Sequence, residues 1–375
     1  MMDEQDKKTY SNFDYDSALN VVEGVKQPEQ ISNFYLEKMR KTKLHEPSVN
    51  DLVDGILHGD RVMLSRAITL VESSRFDHRR KSQEIIERCI PYSGKSIRIG
   101  ITGVPGAGKS TIIESLGKML TALNHKVAVL AIDPSSERSK GSILGDKTRM
   151  EELSTDPNAF IRPSPSAGSL GGVARKTREI ITLCEAAGFD TVIVETVGVG
   201  QSEVAAHSMV DFFLLLQLAN TGDELQGIKR GIMEISDGIV INKCDGDNVD
   251  RCQMAATNFR NALHFFPMPD SGWLPKVMCY SGFYGTGVKE IWDMIYEYID
   301  FVRHNGYFDH RRNEQAKYWM YESINEHLRF NFYNNPVIKS QLQAAEHTVL
   351  AGQKTSFVAA QDLLDTYYEQ LTNRD

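Results

Sequence analysis

Short apolar runs alternate with stretches of helical spacing through the centre of the chain, from about residue 97 to residue 305. Several runs are apolar at nearly every position, which is the pattern of buried strands in a parallel sheet covered on both faces. The predicted strands are residues 97–102, 127–132, 191–195, 212–217, 238–242 and 276–280. Residues 97–305 are therefore predicted to form an α/β domain with a mostly parallel central sheet flanked by helices.

The preceding segment, residues 46–96, has the apolar spacing of helices. Apolar residues recur every three or four positions in two sets, separated by Gly59 and Asp60. The sets are Leu52, Val53 and Ile56, then Leu64, Ala67, Ile68 and Val71. This pattern predicts a helical hairpin that packs on the next domain, with a partner-binding surface as the alternative. Residues 1–45 are polar and are predicted to be a weakly structured N-terminal arm.

Helical spacing returns in residues 306–375. Two apolar stripes are separated by a break at Asn334-Asn335-Pro336. The first is Ala316, Met320, Ile324, Leu328 and Phe332, with Trp319 beside it, and the second is Phe357, Ala360, Leu364, Tyr367 and Leu371. Two amphipathic helices after a complete α/β core predict a C-terminal dimerisation arm, and a helical cap within one chain is the alternative.

Composition narrows the class of protein. The 375 residues include 41% hydrophobic and 25% charged residues, as in ordinary globular proteins. A formal net charge of -8 and the lack of a basic stripe argue against a nucleic-acid partner. No apolar run approaches the roughly 18 residues of a membrane span, and the first residues lack the apolar segment of a secretory signal. We therefore expect a cytoplasmic protein without a membrane partner.

The five cysteines show no pairing pattern. Cys89, Cys184, Cys244, Cys252 and Cys279 form no C-x-x-C pair and no zinc-like spacing with histidine. They are predicted to be reduced, structural thiols.

A phosphate-binding loop follows the first predicted strand. Gly103-Val104-Pro105-Gly106-Ala107-Gly108-Lys109-Ser110-Thr111 fits the pattern G-x-x-x-x-G-K-[ST]. In such loops backbone N–H groups surround the phosphates, the lysine reaches the outer phosphates and the serine hydroxyl binds Mg²⁺. All nine residues are predicted to bind a nucleoside triphosphate, whose base this motif does not specify.

A second motif specifies the base. Asn242-Lys243-Cys244-Asp245 fits N-K-x-D, whose carboxylate accepts hydrogen bonds from N1–H and the 2-amino group of guanine. Adenine lacks both donors, and a site built on such hydrogen bonds rejects the wrong ligand by roughly 10⁴-fold or more. Asn242, Lys243 and Asp245 are therefore predicted to bind GTP. Ser281-Gly282-Phe283 is predicted to close over the guanine O6 with backbone N–H groups.

Three acidic residues lie where ligands of Mg²⁺ are expected. Asp133 and Glu195 lie at the ends of predicted strands, and Asp146 lies in the segment between strands. Glu195-Thr196-Val197-Gly198 resembles the D-x-x-G switch of GTPases, with glutamate in place of aspartate. Together with Ser110 these acids are predicted metal ligands, while a helix cap or turn is the alternative for each.

Two further segments are predicted to respond to the nucleotide. Gly198-Val199-Gly200-Gln201 is a flexible run beside the expected γ-phosphate, and residues 220–229 contain two acids, two glycines and Lys229. The predicted catalytic residues are Lys109, Asp146, Gln201 and Lys229. Gln201 would orient the attacking water, with a plain surface position as its alternative.

Six motifs in order resemble those of one family. They are G-V-P-G-A-G-K-S-T, A-I-D-P-S-S, S-I-L-G-D-K-T-R-M, E-T-V-G-V-G-Q-S-E, G-D-E-L-Q-G-I-K and N-K-x-D. Over roughly residues 45–375 the chain resembles the MeaB group of P-loop GTPases. The resemblance implies a homodimeric, Mg²⁺-dependent G-protein chaperone of methylmalonyl-CoA mutase, or of a related acyl-CoA mutase. Such a protein gates the loading of adenosylcobalamin and protects the mutase.

The resemblance also implies roles for particular residues. Asp133, Asp146 and Glu195 correspond to the Mg²⁺ and switch acids, and residues 219–230 correspond to a loop that meets the mutase. The C-terminal helices correspond to the dimerisation arm. Two positions depart from the family pattern: Ala219-Asn220-Thr221 replaces a usual Pro-Gly, which bears on the stiffness of that loop, and Gly282 replaces a common alanine.

Two other function classes are alternatives. A nucleotide-dependent kinase or ATPase of an amino-acid transport system would need an acceptor site with a general base. A metal-insertion GTPase would need a cysteine or histidine cluster near the switch loops. The sequence shows neither pattern outside the nucleotide motifs.

Overall fold

A seven-stranded parallel sheet forms the centre of the described part of the chain. The computed structural model describes residues 46–73, 75–132, 150–163, 170–196, 202–219 and 230–372, which apart from residue 46 belong to a unit spanning residues 47–375. The strands are β1 (Ile97–Gly103), β2 (Val127–Ile132), β3 (Ala159–Arg162), β4 (Thr191–Thr196), β5 (Phe212–Leu218), β6 (Gly238–Asn242) and β7 (Lys276–Cys279). Their spatial order is β3-β2-β4-β1-β5-β6-β7, and every neighbouring pair is parallel. The predicted sheet is confirmed.

Strand β3 was missed by the hydrophobic pattern. It has four residues at the edge of the sheet, of which the last two are only half buried. A run this short cannot be assigned by periodicity alone. Each of the other six strands begins and ends within one residue of its predicted bounds.

From residue 46 onward, where the description begins, three helices precede the sheet: α1 (Val49–Leu57), α2 (Arg61–Glu72) and α3 (Phe76–Cys89), followed by a 3₁₀ turn, Ile90–Tyr92. Ser48 and Asp51 form a reciprocal capping box on α1, and the Asp60 carboxylate accepts a hydrogen bond from Val62 N–H at 2.7 Å to cap α2. All seven apolar residues of the predicted hairpin are buried, in one cluster with sheet residues such as Leu130 and Val192. The apolar face of the hairpin is therefore packed into the core of the α/β domain, as predicted.

Helices cover both faces of the sheet. They are α4 (Lys109–Ala122), α5 (Glu151–Thr155), α6 (Leu170–Ala186), α7 (Ser202–His207), α8 (Arg230–Glu234), α9 (Val249–Leu263) and α10 (Val288–His304), with a 3₁₀ turn at Gly246–Asn248. Because successive side chains of a strand point to opposite faces, Phe212 and Leu214 lie in the core with α4 and α10, whereas Phe213 lies in the core with α1, α2 and α6. Leu215 packs with α9.

The chain ends in α11 (Tyr307–Asn334), α12 (Pro336–Leu350) and α13 (Ser356–Thr372). Asn335 ends α11 and caps α12 by accepting a hydrogen bond from Val337 N–H at 2.9 Å, so the predicted break is confirmed. The residues that pack α11 on the core are Arg311, Gln315 and Trp319. Most of the predicted apolar stripe lies on an outer face instead, since Met320, Ile324 and Leu328 are all exposed.

The first half of α11 is attached to the amino-terminal edge of the sheet by polar contacts. Arg312 donates to both carboxylate oxygens of Asp211, at 2.8 and 2.7 Å, and to Ser96 O at 2.7 Å. Trp319 Nε1 donates to Ser208 O at 3.0 Å. Burial raises the pKa of Asp211, but the hydrogen bond and charge of Arg312 outweigh it and leave that pKa below its usual value. The buried carboxylate therefore stays charged and holds the helix.

Candidate nucleotide-binding site

The predicted phosphate-binding loop joins the end of β1 to the start of α4. Gly106 and Gly108 have φ angles of 79° and 93°, in the left-handed region that favours glycine. A Cβ atom on Gly108 would lie 2.2 Å from Asn242 Nδ2, and one on Gly103 would lie 2.4 Å from Leu216 O. Gly108, the N-cap residue, has no side chain that could cap the first turn of α4. Its backbone N–H groups are thus arranged as in helix N-termini that bind phosphate.

Lys109 is the first residue of α4, and its ammonium group bends back over the loop. Nζ donates to Gly103 O at 2.8 Å and to Val104 O at 3.4 Å. The side chain is buried, and the carbonyl groups keep the charged nitrogen at the loop. A cation in this position suits the outer phosphates of a nucleotide.

Two predicted metal ligands meet beside the loop. Ser110 Oγ donates to Glu195 Oε1 at 3.3 Å. Glu195 is the penultimate residue of β4, buried and paired in register with Ile101 of β1. Parallel pairing places the ends of β1 and β4 at one edge of the sheet, where open α/β folds bind ligands. A hydroxyl and a carboxylate fit Mg²⁺, which takes one or two such protein ligands beside phosphate and water.

A contact between two threonines, absent from the sequence predictions, supports this pair. Thr196 Oγ1 donates to Thr102 Oγ1 at 2.8 Å, and both side chains are buried. The bond links the last residue of β4 to the residue of β1 that precedes Gly103, the first residue of the phosphate-binding loop. The sequence signal that could have predicted this contact is a threonine at or near the end of each of the two strands.

Asn242 ends β6 and connects three loops. Its Nδ2 donates to Ala107 O in the phosphate-binding loop at 2.6 Å. Its Oδ1 accepts hydrogen bonds from Lys243 N–H at 2.7 Å and from Gly282 N–H at 3.3 Å. The side chain is buried. Asn242 therefore positions the phosphate-binding and base-recognition segments relative to each other.

Asp245 is oriented by Ser281. Ser281 Oγ donates to Asp245 Oδ2 at 2.6 Å and accepts from Tyr284 N–H at 3.3 Å. The Ser281 side chain is buried, while Asp245 is half buried. The sequence assigned only a backbone role to Ser281, whereas the structure shows its hydroxyl fixing the carboxylate predicted to bind guanine.

In the rest of the Ser281-Gly282-Phe283 segment, Gly282 lies against the phosphate-binding loop and Phe283 lies at the protein surface. A Cβ on Gly282 would lie 3.0 Å from Thr111 Cγ2, so glycine here matches a close approach to that loop. Phe283 is 84% exposed and packs on Tyr284 with ring centroids 4.9 Å apart, so its side chain points to solvent. Lys243 is exposed and has a φ of 61°, which bends the chain between Asn242 and Asp245.

Several predicted site residues lie outside the described residues. These are Asp133, Asp146, Gln201 and Lys229, together with Gly198-Val199-Gly200 and residues 220–229. Their assignments stay predictions. The described residues bring together Lys109, Ser110, Glu195, Asn242 and Asp245 at one edge of the sheet.

Residues 64–336 match the family described as Methylmalonyl Co-A mutase-associated GTPase MeaB. The chain belongs to the MeaB family. A probable GTPase of Mycobacterium tuberculosis is 47% identical over 320 residues, covering 85% of this chain and 95% of that protein. A mouse protein named Methylmalonic aciduria type A homolog, mitochondrial, is 44% identical over 329 residues, covering 85% of this chain and 79% of that protein.

A solved structure agrees with this MeaB assignment. It is described as the crystal structure of LAO/AO transport system kinase, has 35% sequence identity and a TM-score of 0.68, and covers 85% of this chain and 97% of that chain. The MeaB-family chain is a P-loop GTPase, as predicted. Among the described residues, no helix is both long enough and apolar enough to cross a membrane.

Proposed function

We propose that this MeaB-family GTPase is a Mg²⁺-dependent G-protein chaperone of methylmalonyl-CoA mutase. In this role it gates the loading of adenosylcobalamin and protects the mutase. The observation that carries the proposal is the family match over residues 64–336, because the description of that family names the mutase. The name of the mouse relative, which refers to methylmalonic aciduria, supports the same partner. The predicted cytoplasmic location stays a prediction.

In the proposed site, the described residues divide the work between phosphate, metal and base. Lys109 neutralises the outer phosphates, and Ser110 with Glu195 holds Mg²⁺, joined by Asp133 and Asp146. Bound Mg²⁺ would neutralise charge on the phosphate oxygens during hydrolysis. Asp245 accepts the guanine donors, and Asn242 holds this segment at the phosphate-binding loop. Asp146, Gln201 and Lys229 are the further catalytic candidates.

Guanine selectivity is tested by Asp245→Asn. The amide would present a donor where guanine N1–H and the 2-amino group also donate, so GTP affinity is expected to fall by roughly 10²-fold or more. Xanthosine triphosphate carries a carbonyl at position 2 and should become the better ligand. Asp247→Asn, in the exposed turn two residues further on, is the matched control and should bind GTP like the parent. Equal GTP affinity in both variants would remove Asp245 from the base site.

We also propose that the C-terminal helices form the arm of a homodimer. An apolar groove of about 850 Å³ lies between α11, α12 and α13, lined by side chains including Leu328, Phe332, Leu342 and Leu371. Exposed apolar residues surround it, among them Leu350 at 84% and Phe357 at 86%. Contiguous apolar surface of this kind is typical of a protein interface.

The dimer is tested by sedimentation velocity. Leu328→Glu places a charge on the groove and is expected to shift the protein from dimer to monomer. Val204→Glu is the matched control, because Val204 of α7 is 59% exposed, against 60% for Leu328, and does not line the groove. A parent protein that sediments as a monomer, or a Leu328→Glu variant that remains dimeric, would contradict the assignment of the arm.

The chaperone role is tested by turnover of GTP and ATP, alone and with methylmalonyl-CoA mutase from the same organism. GTP-selective turnover that rises with mutase would support both nucleotide and partner. GTP-selective turnover that does not change when mutase is added would retain the GTPase assignment and point to another acyl-CoA mutase as the partner. ATP preference would favour the transport-kinase alternative.

A further inference from the structure

A cavity of about 550 Å³ lies at the amino-terminal edge of the sheet. The ends of α7, α8 and α9, the segment 266–275 and the start of α11 surround it. Asp237 lies on its wall and directly precedes β6, whose last residue, Asn242, contacts the phosphate-binding loop. At about 3.3 Å per residue, the five steps from Asp237 to Asn242 span roughly 16 Å. The cavity is therefore separate from the proposed nucleotide site.

The cavity has the size and much of the lining of a site for a small organic molecule. Such sites measure about 300–1,000 Å³ and combine apolar walls with a few polar groups. The apolar lining residues include Met233, Leu263, Phe266, Pro267, Met268 and Leu274. Leu263 and Phe266 are half buried, whereas Met268 and Leu274 are exposed, so the apolar wall runs from the interior to the mouth.

Arg311 places a buried charge on the cavity wall. It lines the cavity and is only 9% exposed. Its Nη1 donates to the Tyr298 hydroxyl at 2.9 Å and to Asp237 Oδ2 at 3.3 Å. Nη2 has no hydrogen-bond partner in the part of the chain that the structure describes. Because a buried donor without an acceptor leaves its loss of hydration uncompensated, a ligand that supplies an acceptor would stabilise the guanidinium.

Asp237, beside Arg311, supplies an acceptor. Its side chain is 13% exposed and also lines the cavity. Phe213 N–H and Arg311 Nη1 both donate to Oδ2, at 2.9 and 3.3 Å, so neither occupies Oδ1. Burial lowers the pKa of Arg311, but the charge of Asp237 outweighs it and leaves that pKa above its usual value. The wall therefore presents a charged donor next to an acceptor.

Ser236 and Ser271, which are also buried on the wall, already have partners. Ser236 Oγ donates to a backbone carbonyl at 2.6 Å, and Ser271 Oγ accepts from a backbone N–H at 3.2 Å. Burial and the charge of Arg311 lower the pKa of His207 to about 3, so the imidazole on the wall is uncharged at neutral pH. Arg311 and Asp237 are therefore the groups that select a ligand.

The charges on the wall favour an uncharged ligand group. A carboxylate beside the pair would be repelled by Asp237, and an ammonium group would be repelled by Arg311. The remaining charged lining residues are exposed to solvent, which screens them; they are Glu234, Arg260 and Asp270. A carboxamide is uncharged and carries an acceptor oxygen next to N–H donors, which matches the pair of Arg311 and Asp237.

We propose that this cavity is a binding site for a small, uncharged organic molecule with an apolar body and a carboxamide group. The amide oxygen accepts a hydrogen bond from the Arg311 guanidinium, and the amide N–H donates to Asp237. The apolar body packs between Leu263, Phe266 and Met268.

The experiment titrates the full chain with three probes that share a phenyl ring and a short linker but differ in charge: phenylacetamide, phenylacetate and phenethylamine. Binding is measured by ligand-observed NMR. Phenylacetamide is expected to bind with a Kd of about 1–10 mM, as suits a probe of its size. The two charged probes should bind at least about tenfold more weakly. Saturating GDP should not displace the amide, because the nucleotide site lies at the opposite edge of the sheet.

Variants locate the probe within the molecule. Arg311→Lys keeps the charge but lacks the planar fork of donors, so amide binding should fall about tenfold or more. Met268→Glu removes part of the apolar wall and should weaken binding at least about threefold. Met254→Glu is the matched control, because Met254 is 67% exposed, against 64% for Met268, and does not line the cavity. Circular dichroism checks that each variant is folded.

Four results would overturn the inference. They are no saturable binding of phenylacetamide to the parent, equal affinity for a charged probe, displacement of the amide by GDP, and parent-like amide binding in a folded Arg311→Lys or Met268→Glu variant. If Arg311→Lys does not fold, the comparison of Met268→Glu with Met254→Glu decides, since only the first should lose affinity for the amide.

Discussion

Replacing Asn242 with alanine tests how the site is held together. The substitution removes hydrogen bonds to three backbone groups: Ala107 O, Lys243 N–H and Gly282 N–H. A buried polar group left without a partner costs about 1–3 kcal/mol, and water would recover part of this at the edge of the sheet. We therefore expect the free energy of unfolding to fall by about 2–4 kcal/mol. GDP affinity should also fall, by about 10- to 100-fold, because the two binding segments lose their connection.

The assay combines urea unfolding, followed by circular dichroism, with fluorescent GDP binding at a temperature where the variant is folded. Asn248→Ala is the graded control, since it removes one bond to the backbone of the same segment, from Nδ2 to Lys243 O at 2.8 Å, and a longer one to Cys252 Sγ at 3.5 Å. It should cost about 1 kcal/mol or less. If Asn242→Ala unfolded at the parent's urea midpoint and bound GDP as tightly, the proposed connection between the loops would be wrong.

Three more predictions concern the loop and the amino-terminal edge of the sheet. Lys109→Ala should abolish GTP hydrolysis measured by phosphate release, and unchanged turnover would exclude this lysine from the phosphate site. Gly108→Ala should lose nucleotide binding because its Cβ would meet Asn242 at 2.2 Å. Gly106→Ala, with a similar φ but no atom of the described residues within 4 Å of its Cβ, should lose less, and equal losses would leave the steric argument without support. Burial and the charge of Arg311 lower the pKa of His207 from 6.5 to about 3. The unfolded chain then binds more protons between these values, so stability should fall with decreasing pH through that window, by up to about 1.4 kcal/mol per pH unit; His207→Gln should flatten the curve measured by urea unfolding, and an unchanged slope would contradict it.

The sequence predicted best those parts of the fold where burial is continuous. Central strands such as β5 and β6 are apolar at nearly every position, so their bounds could be assigned from the pattern. The pattern failed for β3, which is short and half exposed, and for the orientation of α11. That helix packs on the core through Arg311, Gln315 and Trp319. Gln315 and Trp319 hydrogen-bond to backbone carbonyls more than 100 residues away in sequence, and a periodicity argument cannot predict such contacts.

The candidate site, like the fold, could be predicted only in part from the sequence. Motif spacing predicted which residues would face a nucleotide, because the chemistry of phosphate and guanine requires particular side chains. It did not predict that the Ser281 hydroxyl would orient Asp245, or that Asn242 would join three loops, since those roles depend on contacts between segments about 36 to 135 residues apart.

The attachment of helix α11 to the sheet has a consequence for how the helix can move. Its first half is fastened to the sheet through Arg312 and Trp319, and its second half, ending at Asn334, carries exposed apolar side chains. With 28 residues it is about 42 Å long, at 1.5 Å per residue. A small rotation of the sheet edge at Asp211 would therefore displace the far end of the helix by several ångströms. If the far end of α11 contacts a second copy of the protein, the direction of the helix determines the distance between the two nucleotide-binding sites.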